Sequence, residues 1–106
     1  MTTERRIEMH DDDARARAAA LAGRLAELGV TTLAIMPGAI GSDGWRHLSA
    51  RSADLPGEIL AALDIAPGGA PVELICPDLP LRFEIDREKT VAITSDAALA
   101  RAFANH

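Results

Sequence analysis

The sequence predicts an α+β fold in which helices pack against an antiparallel sheet, with the element order α-β-β-α-β-β-β-α. Three apolar segments near the C-terminus are joined by four-residue connections, residues 77–80 and 86–89. Such connections are too short for the crossovers that parallel strands require. Two segments further upstream have helical rather than alternating periodicity. With 106 residues, 48% of them hydrophobic, the chain has room for one domain and one core.

The N-terminal segment is predicted to be different from the rest of the chain. Residues 1–10 are mostly polar and are expected to be flexible, although Ile7 and Met9 could add a short edge contact. The single α+β domain is therefore predicted to span residues 11–106.

The first helix is predicted from Ala14 to Leu28, between three aspartates at 11–13 and Gly29. Carboxylates stabilise a helix N-terminus by capping and by charge, and glycine commonly follows the last turn. A stripe of aliphatic residues at helical spacing should face the core. Its members are Ala14, Ala18, Leu21, Ala22, Leu25 and Leu28.

Strand and turn signals alternate in the middle of the chain. Residues 30–36 are predicted to be a strand, and residues 38–44, with three glycines, a loop. Residues 45–50 fit either the returning strand of a hairpin or a short helix, and the sequence leaves both open. A second helix is predicted to open at Asp54, which an early proline follows, and to end over 64–69.

The C-terminal third has the clearest pattern. Residues 72–76 and 81–85 alternate apolar with polar side chains, as half-buried strands do, and a third strand is predicted around 91–93. Either Ser95 or Asp96 is expected to cap a last helix. The charges that alternate in sign from Arg82 to Lys89 are interpreted as the solvated face and turn of a hairpin.

Composition and charge exclude several classes of function. Sixteen acidic and eleven basic residues give a formal charge of −5, which repels nucleic acid and anionic lipid. We therefore expect no nucleic-acid partner and no membrane partner, and no stretch approaches the ~18 apolar residues of a membrane span. The charged N-terminus argues against a secretory signal, so a cytoplasmic location is expected. Ten arginines against one lysine, with 21 alanines, are typical of a bacterial genome rich in G and C.

The glycine-rich loop and the residues after it are the candidate ligand-binding site. Main-chain N–H groups of such a loop can bind a phosphate, but the loop contains no lysine and matches no nucleotide-binding motif. Glycines that allow a tight hairpin loop are the simpler explanation. A site for an anionic small molecule would be lined by Gly41, Ser42, Asp43, Trp45, Arg46 and His47.

A catalytic site would depend on His47 as a general base, with Cys76 or Asp43 as its partner. Cys76 is the only cysteine, and free cysteines are usually buried and inert. His10 and the aspartates at 11–13 have metal-ligand side chains, but a consecutive run before a helix has a sufficient explanation in capping. We therefore predict no metal site and no cofactor.

The sequence favours a non-catalytic binding, interaction or accessory protein. The chain has two phenylalanines, one tryptophan and no tyrosine, so its core is thin. We therefore expect either modest stability or additional stabilisation by association with a second copy or another protein. The alternatives are the anionic-ligand site at the 38–44 loop and a small enzyme that uses His47.

Overall fold

The computed structural model describes residues 4–9, 13–36, 45–49, 54–66 and 70–104. These residues form three α-helices and one six-stranded antiparallel sheet. In chain order the elements are β1 (Arg5–Met9), α1 (Ala14–Glu27), β2 (Thr32–Met36), β3 (Arg46–Ser49), α2 (Leu55–Ile65), β4 (Val72–Cys76), β5 (Leu81–Ile85), β6 (Thr90–Thr94) and α3 (Ala97–Ala104).

The predicted fold class and the order of its eight elements are confirmed. For residues 45–50 the sequence is compatible with either a strand or a short helix. In the structure residues 46–49 form strand β3, which pairs with β2. Of the two residues proposed to cap α3, Asp96 does so, because its carboxylate accepts hydrogen bonds from the N–H groups of Ala98 and Leu99.

Strand β1 is the element that the prediction did not contain. Residues 5–9 are not a flexible segment but pair along their whole length with β6, and Met9 is only 4% exposed. The five residues contain just two inward apolar side chains, Ile7 and Met9, so their pattern alone is weak. The open edge of β6 supplies the main-chain hydrogen bonds that stabilise them.

The strand order across the sheet is β1-β6-β5-β4-β2-β3, so β1 and β3 are the two edges. Side chains alternate between two faces along each strand. We call the face that carries Phe83 the inner face and the opposite one the outer face. The register places on the inner face Arg5, Ile7, Met9, Leu33, Ile35, Leu48, Val72, Leu74, Cys76, Leu81, Phe83, Ile85, Thr90, Ala92 and Thr94.

All three helices pack on the inner face. Leu21 and Leu25 of α1 are fully buried in the same cluster as Phe83, and the Phe83 ring meets Phe103 of α3 edge-on at 5.5 Å between centroids. Helix α2 adds Ile59 to this cluster. The leucines of the first helix therefore share one core with the apolar side of β5, which confirms that the aliphatic stripe of this helix faces the core.

The helix ends agree with their sequence signals. Asp13 caps α1 by accepting a hydrogen bond of 2.7 Å from the Ala16 N–H, and Gly29 follows the helix with a φ of +75°, which suits glycine.

Among the described residues, no helix has both the length and the apolar character needed to cross a membrane.

Candidate functional site

The structure describes only part of the predicted ligand site. Gly41, Ser42 and Asp43 lie outside the described residues, and Arg46 is placed in β3 opposite Ile35 by its backbone alone. Trp45 precedes β3 and is 40% exposed, so it is not a core residue.

His47 and Cys76, one of its two proposed catalytic partners, do not come together; the other partner, Asp43, lies outside the described residues. Cys76 lies on the inner face and is 2% exposed, whereas His47 is opposite Ala34 on the outer face and is exposed. Burial raises the pKa of the Cys76 thiol to about 12, which keeps it protonated and unreactive at neutral pH. The sheet itself therefore separates the imidazole from the thiol.

His10, Asp11, Asp12 and His106 also lie outside the described residues, and Asp13 is the cap of α1. In the ranges that the structure describes, no three His, Cys, Asp or Glu side chains group as metal ligands do.

The outer face consists of two parallel rows of side chains that run across the strands. We call the first the acidic row; from β2 to β1 it contains Met36, Glu73, Glu84, Val91 and Glu8. We call the second the basic row; from β3 to β1 it contains His47, Ala34, Ile75, Arg82, Ile93 and Arg6. Each strand from β2 to β1 gives one residue to each row, because positions two apart share a face.

One ion pair connects the two rows, and two more join a member of a row to a residue outside both rows. Arg6 Nη2 lies 2.9 Å from Glu84 Oε1, so this pair reaches across β6 from β1 to β5. Arg82 pairs with Glu4 at 3.4 Å, and Lys89 pairs with Glu8 at 3.7 Å. Because these side chains are partly exposed, each pair stabilises the monomer only weakly.

Apolar residues lie between these charges. Val91 is 4% exposed and Ile93 is 1% exposed, although neither belongs to the core cluster beneath the helices. In register, Ile93 has Arg6 on one side and Arg82 on the other. The aliphatic stems of long charged side chains can cover such neighbours while the charges stay in water.

Glu73 is placed unfavourably within the acidic row. It lies directly opposite Glu84 on the neighbouring strand, and like charges in that position repel. Glu84 has Arg6 as its partner, whereas Glu73 forms no ion pair with any residue that the structure describes. The acidic row therefore offers negative charge that a cation from outside could neutralise.

One shallow groove opens on the outer face beside the turn at residues 77–80. It has a volume of about 280 Å³, and Ile75, Ile93, Arg82 and Glu4 contribute to its walls. Small-molecule sites usually enclose about 300–1,000 Å³ and cover most of the ligand. The groove is better suited to a side chain from another protein than to a whole metabolite.

A second cavity of about 270 Å³ lies where α2 meets the β5–β6 turn, and its lining includes Leu63, Asp86 and Glu88. Beside it, Arg87 pairs with Asp64 at 2.7 Å, and the buried Arg17 side chain donates a hydrogen bond to the Arg87 carbonyl. These contacts tie the turn to α1 and α2, so this cluster has a sufficient structural role.

The rows are the feature that sequence analysis missed. The Arg-x-Glu spacing is visible in the sequence at residues 6–8 and 82–84, and the alternating charges from residue 82 onward predict only the solvated face of a hairpin. Only the strand register shows that both arginines fall in one row and both glutamates in the other.

Comparison with known proteins gives no relative: no protein-family model, curated protein or solved structure matches the chain.

Proposed function

We propose that the chain is a non-catalytic interaction protein and that the outer face of its sheet contacts another protein chain. The observation that carries this proposal is the one-sided packing of the sheet. All three described helices cover the inner face, and the two rows of the outer face have no helix over them in the described part of the chain.

The composition of the rows supports an interface rather than a purely solvated surface. A sheet with one face in water usually alternates apolar and polar side chains. Here Ala34, Met36, Ile75, Val91 and Ile93 are apolar residues on the outer face. Apolar residues surrounded by charges are the usual make-up of a non-obligate protein interface, which is little more apolar than the rest of a protein surface.

The placement of Cys76 and His47 also favours a non-catalytic role. A nucleophile needs a base within about 3 Å, or a lowered pKa. Cys76 has a raised pKa and lies on the face opposite to His47.

Site-specific photo-crosslinking tests the proposed function. A benzophenone amino acid replaces Ile75, which is half-buried at the centre of the outer face, or Ala19, which is exposed on α1 as the matched control. On irradiation in cells that express the chain, we expect a discrete protein adduct from position 75 and none from position 19. Adducts at neither position, or equally at both, would contradict the proposal.

An anionic small-molecule site near Trp45 is a second candidate. Its support is that Trp45 and His47 are both exposed, where a ligand could reach them. Since Trp45 is the only tryptophan, saturable quenching of its fluorescence by phosphate- or carboxylate-bearing metabolites, abolished by His47→Ala, would favour this candidate. A flat response to the whole panel would reject it.

A further inference from the structure

We infer that the partner of the outer face is a second copy of this chain, docked so that the acidic row of each copy lies over the basic row of the other. This inference rests on the proposed function and specifies its partner. The observation behind it is that the rows are adjacent, parallel and opposite in charge on a single face.

A two-fold axis that runs across the strands, midway between the rows, produces this arrangement. Rotation about that axis exchanges the rows and leaves each strand over its own counterpart. Glu84 then lies over Arg82 of the second copy, and Glu8 lies over Arg6. Val91 lies over Ile93 in the same way, but both are already buried, so the charged pairs determine the docking. One symmetry operation therefore pairs the charges of β1 and β5 with opposite charges, while Glu73 of β4 lies over Ile75. Each contact occurs twice, as in any isologous interface.

Other face-to-face arrangements do not have this property. An axis parallel to the strands places the acidic row over the acidic row, so that Glu73 and Glu84 meet glutamates. An axis centred on either row has the same effect on that row. Juxtaposed like charges disfavour an interface strongly, so the charges select a single register.

The shape of the sheet is compatible with this docking. A rotation about an axis across the strands preserves the direction of the sheet twist, so the two sheets stay aligned, as they do in β-sandwiches. Six strands about 4.8 Å apart and about 17 Å long present a face of roughly 500 Å² per copy. That size is near the lower limit for specific interfaces. We therefore expect a weak dimer rather than a permanent one.

Docking adds to the existing ion pairs instead of replacing them. Arg6 stays beside Glu84 in its own sheet, at 2.9 Å, and gains a glutamate from the second copy. At β1 and β5 each charge then faces its opposite across the interface, and this attraction offsets part of the cost of removing water from them. Glu73 lies directly beside Glu84 on the neighbouring strand. The Arg82 side chain of the second copy, which lies over Glu84, is therefore also close to Glu73. The dimer should therefore weaken as salt concentration rises.

Charge-reversal variants and their mixture test the inference by sedimentation velocity over a concentration series at low salt. Arg82→Glu places a glutamate over Glu84 of the second copy, and Glu84→Arg places an arginine over Arg82. Each variant alone should dimerise about tenfold more weakly, or not at all. An equimolar mixture should recover the wild-type affinity, since every charge in the mixed dimer again meets its opposite. Arg101→Glu, an exposed change on α3, is the matched control and should behave as wild type.

Recovery in the mixture also shows that both variants are folded. The inference is overturned if the wild-type chain stays monomeric at millimolar concentration and low salt. It is equally overturned if a dimer forms that both reversals leave unchanged, or that the mixture does not restore. If the chain is monomeric while position 75 still crosslinks to a different protein, the proposed function stands and only the second copy is excluded.

Discussion

Cys76 illustrates how position in the sheet decides the chemistry of a single residue. Its thiol is 2% exposed on the inner face, and burial raises its pKa to about 12. Since the thiolate is the reactive form, we expect a disulfide reagent at pH 8 to label Cys76 no faster than the chain unfolds. Labelling within seconds in native buffer, at the rate of the denatured chain, would show that the thiol is accessible.

The same residue makes the fold sensitive to alkali. The thiol ordinarily releases its proton near pH 9, whereas the folded chain retains it up to about pH 12. Between these pH values the unfolded state binds fewer protons, so the free energy of unfolding falls as pH rises. Cys76→Ala should make this fall shallower, as measured by urea unfolding at pH 8 and at about pH 10.5. If the free energy of unfolding falls equally with pH in the wild type and in Cys76→Ala, the Cys76 thiol is not the cause of the fall.

At the scale of elements, strand β1 contributes stability through Met9. That side chain is 4% exposed and belongs to the core cluster, so Met9→Ala should lower the free energy of unfolding by about 2–5 kcal/mol. Ile7→Ala, at a half-buried position in the same strand, should cost less. Urea unfolding of both variants measures the difference. If neither variant loses stability, residues 5–9 do not form a strand in solution.

Two helical glycines should respond differently to replacement by alanine. A Cβ at Gly57 would lie 2.1 Å from Asp54 Oδ2, whereas one at Gly23 meets nothing within 4 Å. Gly23→Ala should therefore stabilise the chain by about 0.5–1 kcal/mol. Gly57→Ala should gain nothing, since it displaces the Asp54 carboxylate that caps α2, a loss of about 1 kcal/mol. In an Asp54→Ala background, where the obstruction is gone, thermal unfolding should show Gly57→Ala to be stabilising again.

Local patterns account for most of the elements but not for the rows. Asp13, Gly29 and Asp54 act at the helix ends through interactions within one turn, so the sequence alone predicts them. Strand β1 was missed because its stabilisation comes from β6, which is more than 80 residues away in the chain. The two rows depend on the register of every strand, and a shift of one residue would move a strand's side chains to the other face.

On the scale of the whole molecule, the fold is a sheet with a helical layer on one side only. Its core has few aromatic side chains, with Phe83 against Phe103 as the described ring contact. A second copy on the outer face would place sheet against sheet between two helical layers. Val91 and Ile93, which no described helix covers, would then lie between two sheets.

Dimerisation through this face should make the stability of the wild-type chain depend on its own concentration. Association that the unfolded chain cannot undergo stabilises the fold by mass action, by about 1–3 kcal/mol well above the dissociation constant. For a chain of this size that corresponds to several degrees in the thermal midpoint. We therefore expect the midpoint to rise with protein concentration at low salt and to stop rising in 1 M NaCl, where screening acts within about 3 Å. Arg82→Glu should give a thermal midpoint that does not depend on protein concentration, while Arg101→Glu should follow the wild type. A wild-type midpoint that does not change with protein concentration would contradict the dimer.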